Sequence, residues 1–204
     1  MITVGKLTEV QSINNLVDMA NKLNVYFFCE ELLTSDKFKV WTGSGNRNQH
    51  HYGYGGLVIH TCEVVRICLS VNDLLGTQLS PKKIFLSALF HDVGKIWDYE
   101  YTNEEMTIWQ PVDHKVKIYH ITRSILEWNR FFESKKGSLE VSEQDESFSN
   151  EIIHAILGHH GRLEWHSPVK PRTKLAFLLH YADSISARLD DADLLFKSDK
   201  YSDN

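Results

Sequence analysis

Hydrophobic residues recur every three or four positions along most of the chain, which is the spacing of helices that bury one face. This pattern predicts helices over residues 13–33, 57–75, 80–92, 113–132, 150–160 and 172–195. The helix that follows Ser80 has strong start signals, because a serine N-cap is followed at once by Pro81. The pattern therefore predicts an all-α fold.

Three segments depart from the helical pattern. Residues 42–56 (TGSGNRNQHHYGYGG) are rich in glycine, asparagine and tyrosine, which indicates a long ordered loop. Residues 97–111 alternate aromatic and polar side chains, which is typical of a short β-hairpin. Residues 133–149 are polar and charged, and we expect a surface loop there.

The same pattern divides the chain into one principal unit with two extensions. We expect the principal domain over residues 46–195. A helical extension over residues 1–45 should pack on this core, and residues 196–204 should form a C-terminal tail.

Composition narrows the class of protein. The 204 residues are 42% hydrophobic and 24% charged, which is typical of a globular domain large enough to bury a core. A net charge of −5 gives no general basic character for nucleic-acid or membrane binding, and no apolar stretch approaches the length of a membrane span. The three cysteines lack metal-type spacing and no signal peptide precedes them, so we expect reduced thiols and a cytoplasmic location.

Histidine and aspartate residues occupy positions where the helical pattern calls for apolar side chains. His60 lies on an apolar stripe, His91 and Asp92 end a buried helix, and Asp183 follows Leu179 by four. A buried carboxylate must be paired, hydrogen-bonded or bound to a metal. Imidazole and carboxylate together suit divalent first-row metals such as Mn, Fe, Co, Ni or Zn. The pattern therefore predicts one metal site.

Further histidines provide ligands for a second ion. His120 lies within a predicted helix, and His159 and His160 precede Gly161, which favours a helix end there. Neighbouring histidines can reach one ion only at such an end. With Asp92 as a bridge, these three histidines would hold a second metal, and metal pairs are common in phosphoryl chemistry.

Four short segments resemble a known family. They are HHYGYGGLVIHT, ALFHDVGKI, ILGHHGRLEWHSP and LLHYADSISARL. Together they resemble the HD-domain metal-dependent phosphohydrolases over residues 49–192. In the sequence of these segments they resemble most the HD module of bacterial 3′-to-5′ exoribonucleases. The resemblance implies an all-α HD helical bundle, phosphoester hydrolysis, and one or two divalent ions, often manganese. It also implies that metal is held at His60, His91, Asp92, His120, His159, His160 and Asp183.

One departure from those exonucleases changes the functional expectation. They carry an OB-fold ahead of the HD module, whereas residues 1–45 here are predicted to be helical and too short for that barrel. We expect a phosphodiesterase that acts like a 3′-to-5′ exonuclease on short single strands, by metal-activated water. The alternatives are hydrolysis of free nucleotides or cyclic (di)nucleotides, and a non-catalytic regulatory HD domain. A homodimer, or a partner that supplies nucleic-acid binding, is also expected.

Two residues outside the ligand set are candidates for catalysis. Lys95 would place a cation near the scissile phosphate, and the alternative is a solvated lysine. His51 would contact phosphate or donate a proton to the leaving group, and the alternative is an exposed loop histidine.

Other polar and aromatic residues have both a functional and a structural interpretation. His154 is expected to be structural, while His180 would either orient Asp183 or pack. Arg162 and Lys170 would bind further phosphates or simply carry surface charge. The aromatic residues Tyr52, Tyr54 and Trp165 would either stack on a base or pack against the protein.

Overall fold

A computed structural model describes residues 7–199, with side chains through residue 189. The predicted all-α class is confirmed, because helices make up most of the described chain and the small sheet has two strands. Residues 1–6 of the predicted N-terminal extension and residues 200–204 of the predicted tail lie outside the described residues. No helix among the described residues is long and apolar enough to cross a membrane.

The N-terminal extension is helical, but the prediction of one helix over residues 13–33 is wrong. Two helices form instead, α1 (Glu9–Lys22) and α2 (Tyr26–Thr34). The chain turns between them at Asn24, whose positive φ of 55° interrupts the helix. A short helix α3 (Asp36–Val40), absent from the prediction, follows.

The centre of the core is a pair of helices that the sequence predicted well. They are α4 (Gly56–Leu75) and α5 (Pro81–Phe90), and Ser80 caps α5 as expected by accepting a hydrogen bond from the Lys83 amide. Every residue from 84 to 90 is buried, so α5 is surrounded by other elements. The short helix α6 (Lys95–Asp98) follows the turn that contains His91 and Asp92.

The predicted β-hairpin is present next to α6. Its antiparallel strands are β1 (Tyr99–Tyr101) and β2 (Trp109–Pro111), with Tyr99 opposite Pro111. The indole of Trp109 packs edge-on against Trp41, with 5.0 Å between ring centroids. This contact joins the hairpin to the N-terminal helices.

The prediction of one helix over residues 113–132 is also wrong. The segment forms α7 (Asp113–Lys117) and α8 (His120–Lys135), because Tyr119 has a positive φ of 69°. As a result His120 begins a helix instead of lying within one.

The predicted surface loop over residues 133–149 is shorter than expected. It contains two 3₁₀ turns, Lys136–Ser138 and Val141–Glu143, before α9 (Glu146–Gly158) begins. The last helix, α10 (Lys174–Asp199), continues beyond residue 195 into the predicted tail. Helices α4, α5, α9 and α10 pack against one another and enclose the site described next.

Candidate metal centre

Five helical elements bring the predicted histidines and aspartates to one place. His60 lies in the second turn of α4, Asp183 lies in the third turn of α10, and His120 is the first residue of α8. The turns that follow α5 and α9 contribute two residues each. Their potential ligand atoms form two groups, each within 4.8 Å: His60, His91, Asp92 and Asp183, and His120, His159 and His160. A third such group among the described residues joins His50 and His51 to His60.

The first cluster is compact and buried. Nε2 of His60 lies 3.1 Å from Oδ1 of Asp183 and 3.4 Å from Oδ2 of Asp92. Nε2 of His91 lies 3.3 Å from Nε2 of His60 and 3.4 Å from Oδ2 of Asp92. Two ligand atoms that each lie roughly 2.1 Å from one ion are separated by roughly 3 Å. These spacings therefore fit one metal ion.

The second cluster lies on the other side of Asp92. Oδ1 of this carboxylate is 3.3 Å from Nε2 of His120 and 3.6 Å from Nε2 of His159. Nε2 of His60 and of His91 lie near the other oxygen, Oδ2. Asp92 thus presents one oxygen to each cluster, which is the arrangement of a bridging carboxylate.

Backbone carbonyls fix the orientation of three of these rings. Nδ1 of His91 donates to the Ala88 carbonyl and Nδ1 of His159 donates to the Ile156 carbonyl, each at 2.7 Å. Both histidines follow the last residue of a helix and bond three residues back. Nδ1 of His160 donates to a loop carbonyl at 2.7 Å. With Nδ1 occupied in this way, Nε2 is the atom available to a metal.

A buried aspartate that sequence reasoning missed orients His120. Oδ2 of Asp98 accepts hydrogen bonds from the amide and from Nδ1 of His120, at 3.1 and 3.3 Å. Oδ1 of Asp98 accepts from Nδ1 of His114 at 2.7 Å. Burial raises the pKa of Asp98, but the bonds from His120 and His114 outweigh it and hold the pKa below the usual value. Asp98 is therefore an ionised support for His120.

A second supporting chain, also missed from the sequence, holds His60. Nδ1 of His60 donates to Oγ of Ser186 at 3.0 Å, and this hydroxyl donates to Oε2 of Glu63 at 2.7 Å. His51 also donates to this carboxylate oxygen, through Nε2 at 3.0 Å. The only signal in the sequence is spacing, because Glu63 follows His60 by three and Ser186 follows Asp183 by three.

Lys95 lies inside the site. Nζ of Lys95 is 2.6 Å from Oδ2 of Asp92, and the residue is 7% exposed. Burial lowers the pKa of this ammonium group, but the carboxylate of Asp92 outweighs burial and raises it. Gly94 permits the close approach of this segment to the backbone of His120, since a Cβ at Gly94 would lie 2.1 Å from the His120 carbonyl oxygen.

Charge in the site is shared unequally between the two clusters. Burial alone would lower the pKa of His60, but hydrogen bonds with Asp183 and Asp92 raise it to about 9. For His160, burial and the neighbouring His159 outweigh the charges of Asp183 and Asp92 and lower the pKa to about 2. At neutral pH the second cluster therefore offers a neutral imidazole ready to bind a metal.

Four buried atoms at the centre make no hydrogen bond within the described residues, and three of them also lack the lysine partner that Oδ2 of Asp92 has in Lys95. Oδ1 of Asp92, Nε2 of His120 and Nε2 of His159 make no hydrogen bond within the described part of the chain. Unpaired polar atoms are costly to bury. Their donor set, imidazole and carboxylate, is that of a divalent transition metal, so the residues fit such an ion.

The remaining candidates have varied surroundings. Nε2 of His154 accepts a hydrogen bond from the Arg172 amide at 3.0 Å, which is a structural role as predicted. His180 donates to the His159 carbonyl at 2.7 Å and so supports His159, whereas the sequence offered Asp183 or packing. The hydroxyl of Tyr52 accepts from the Trp109 amide at 2.9 Å.

The other predicted substrate-binding residues lie near the surface. Tyr54 and Lys170 are exposed. The guanidinium of Arg162 lies over the ring of Trp165, 4.7 Å from its centroid.

Comparison with known proteins identifies a family and several relatives. The sequence pattern of the HD domain family matches residues 57–188. A dihydroneopterin 2′,3′-cyclic phosphate phosphodiesterase from Methanocaldococcus jannaschii is 30% identical over 148 residues, 71% of this chain and 51% of that protein. The 3′-5′ exoribonuclease YhaM of Bacillus subtilis is 26% identical over 150 residues, 71% of this chain and 42% of the relative.

The match to a third relative extends further along the chain. The 3′-5′ exoribonuclease YhaM of Listeria innocua is 29% identical over 215 residues, which cover 98% of this chain and 63% of the relative. The chain thus spans between about two fifths and two thirds of the length of these curated relatives. No solved structure matches the chain.

Proposed function

The chain belongs to the HD domain family, and on that premise we propose that it hydrolyses a phosphodiester bond of a nucleotide or a short single-stranded nucleic acid. The predicted family is confirmed by the match over residues 57–188. Relatives named as a phosphodiesterase and as an exoribonuclease support the predicted class, a metal-dependent phosphohydrolase.

The observation that carries this proposal is the position of Asp92 between two clusters of potential ligands. Its two carboxylate oxygens point to different groups of histidines, at 3.3–3.6 Å. We propose His60, His91, Asp92 and Asp183 as ligands of one ion, and Asp92, His120, His159 and His160 as ligands of the other. When bound, such ions would lower the pKa of a water molecule and neutralise charge on phosphate oxygens. Manganese is the proposed metal, with Fe, Co, Ni and Zn as alternatives of similar ligand preference.

Lys95 is the proposed cation for the phosphate. Its raised pKa keeps the ammonium charged at neutral pH, and burial strengthens its electrostatic effect on an adjacent anion. In the absence of substrate its charge is paired with Asp92. A phosphate that enters the site would share this charge.

His51 is proposed as a positioning residue. Its Nε2 donates to Glu63, which in turn holds Ser186 and through it His60. Burial lowers the pKa of His51 to about 4, against the opposing effect of Glu63, so the ring is neutral at neutral pH. A neutral ring already bonded to Glu63 is a poor proton donor, which favours support of His60 over protonation of the leaving group.

The leading substrate is the 3′ end of a short single strand. The exoribonuclease from Listeria innocua supports this choice, because its similarity extends over 98% of this chain. The second candidate is a cyclic phosphate of a nucleotide-like molecule, which the archaeal phosphodiesterase supports. A regulatory HD domain without turnover is disfavoured by the complete set of potential ligands. A homodimer, or a partner that supplies nucleic-acid binding, remains part of the proposal.

The test is hydrolysis by metal-stripped protein after addition of Mn, Co, Ni, Zn or Mg. The first substrate is bis-p-nitrophenyl phosphate, and the matched variant is Asp92→Asn, which keeps the shape of the side chain and removes its charge. Metal-dependent cleavage that is lost in Asp92→Asn supports the proposal. No cleavage of this diester, of a short oligoribonucleotide or of a 2′,3′-cyclic nucleotide with any metal would overturn it.

The salt dependence of binding affinity distinguishes the two candidate substrates. Binding of a strand releases counterions from several phosphates, so its affinity should fall steeply as salt rises. A cyclic mononucleotide carries one phosphate and should show a shallow dependence.

A further inference from the structure

An open cleft of about 310 Å³ adjoins the proposed metal centre. His160 and Asp183, one potential ligand from each cluster, lie on its wall. The rest of the wall includes Gln49, Trp165 and Arg188. A group attached to a phosphate at the centre would therefore extend into this cleft.

The tryptophan in the wall is far more exposed than three other tryptophans of the described residues. Trp165 is 46% exposed, whereas Trp41, Trp109 and Trp128 are each at most 7% exposed. An indole with half of its surface in solvent contributes little to the core. Its exposure beside the proposed metal centre is explained if a flat ring of the substrate covers it.

Trp165 is held in place at the end of a 3₁₀ turn, Leu163–Trp165. Its carbonyl accepts the hydrogen bond from Nδ1 of His160 at 2.7 Å, so the backbone of Trp165 is bonded directly to a potential metal ligand. The guanidinium of Arg162 packs on the indole at 4.7 Å. Oγ of Ser167 anchors the end of the loop to the Leu157 carbonyl at 3.0 Å. The indole is therefore a preorganised surface.

We propose that this cleft is the binding site for the flat heterocyclic group next to the scissile phosphate, and that Trp165 is its stacking surface. This inference rests on the proposed function, because the phosphate at the metal centre sets the position of the ring. The volume is at the lower end of small-molecule sites, which limits the cleft to about one nucleotide unit. Arg188 adds a positive charge to the wall, and Gln49 adds an amide.

Binding of product-like ligands tests the proposal without any turnover. The dissociation constants of adenosine 5′-monophosphate and of ribose 5-phosphate are measured by calorimetry on manganese-supplemented protein. These ligands share the sugar and the phosphate, and only the first carries a base. Base stacking on an aromatic residue contributes about tenfold or more to affinity. We expect the wild type to prefer the first ligand by that factor.

Variants of the loop assign the preference to the indole. Trp165→Leu should remove the preference for the base and leave the affinity for ribose 5-phosphate unchanged, while Trp165→Phe should retain part of it. The matched control is Leu163→Ala, since Leu163 is 53% exposed on the same 3₁₀ turn and lies outside the cleft wall. This control should bind like the wild type. Circular dichroism checks that each variant is folded.

Three results would overturn the proposal. They are equal affinity of the wild type for both ligands, an unchanged preference in folded Trp165→Leu, and an equal loss for both ligands in that variant. A dihydroneopterin phosphate, titrated in parallel, distinguishes a pterin from a nucleobase, and preference for either ring supports the site. Failure of the proposed hydrolysis is seen separately, since binding is measured without turnover.

Discussion

Nε2 of His120 lies 3.3 Å from Oδ1 of Asp92, yet neither atom makes a hydrogen bond within the described part of the chain. The reason is the proton on the other ring nitrogen, which His120 donates to Asp98. The lone pair on Nε2 therefore faces a carboxylate oxygen, an unfavourable arrangement when buried. A cation between the two atoms makes it favourable. This relationship is the strongest physical argument for a metal at the second cluster.

Removal of the charge on Asp98 should weaken the binding of the metal ion at the second cluster and leave the ion at the first cluster unaffected. Asp98→Asn keeps the size of the side chain but loses the carboxylate that fixes the tautomer of His120. Substitution of such supporting residues lowers metal affinity by about 10- to 100-fold. In a calorimetric titration we expect this loss of affinity for the more weakly bound of the two ions. The affinity of the more tightly bound ion should be unchanged.

The control for this prediction is Asp113→Asn. Asp113 is a surface aspartate that pairs with Lys117 at 2.6 Å, and it should bind metal like the wild type. Equal affinities in Asp98→Asn and Asp113→Asn would show that Asp98 does not support the second ion.

Lys95→Met should separate catalysis from metal binding. The variant removes the buried cation but none of the proposed ligands. Loss of one preorganised group that stabilises transition-state charge lowers kcat by about 100-fold or more. We expect that decrease with bis-p-nitrophenyl phosphate, together with wild-type metal content by mass spectrometry.

The matched control is Lys117→Met, since Lys117 is a surface lysine whose side chain is 69% exposed. Its kcat should be unchanged. A loss of metal in Lys95→Met that parallels the loss of activity would contradict the assigned role of Lys95.

The three cysteines should be unreactive in the folded protein. Cys29, Cys62 and Cys68 are all buried. Burial raises the pKa of Cys62 to about 11, and it raises the pKa of the other two thiols as well. The reactive thiolate is therefore scarce at pH 8, whereas an unfolded cysteine, with a pKa of about 8.5, is partly ionised at that pH.

A thiol-reactive disulfide reagent measures this directly. Less than one thiol per chain should react at pH 8 in buffer, and all three in denaturant. Rapid reaction of one or more thiols in the folded protein would contradict the described packing of α2 and α4.

The sequence predicts His60, His91, Asp92 and Asp183 because each lies where the helical pattern calls for an apolar side chain. The three histidines of the second cluster carry a weaker signal, and the resemblance to the HD family completes the set. His120 was placed correctly among them although its helix was not. The breaks at Asn24 and Tyr119 depend on single positive-φ residues, which leave the surrounding hydrophobic spacing unchanged.

The residues that support the ligands, Ser186, Glu63 and Asp98, could not be predicted from the sequence. Ser186 and Glu63 are 123 positions apart and meet only because α4 and α10 pack together. Asp98 meets His120 because the chain turns at Tyr119. These contacts depend on the tertiary arrangement, which periodicity along the sequence does not encode.

Metal stoichiometry tests the central claim, a two-ion centre bridged by Asp92. Metal-stripped wild type and Asp92→Asn are titrated with Mn²⁺, and free Mn²⁺ is followed by electron paramagnetic resonance. The account predicts two bound ions per wild-type chain and at most one in folded Asp92→Asn. Fewer than two ions in the wild type, or two in Asp92→Asn, would contradict it.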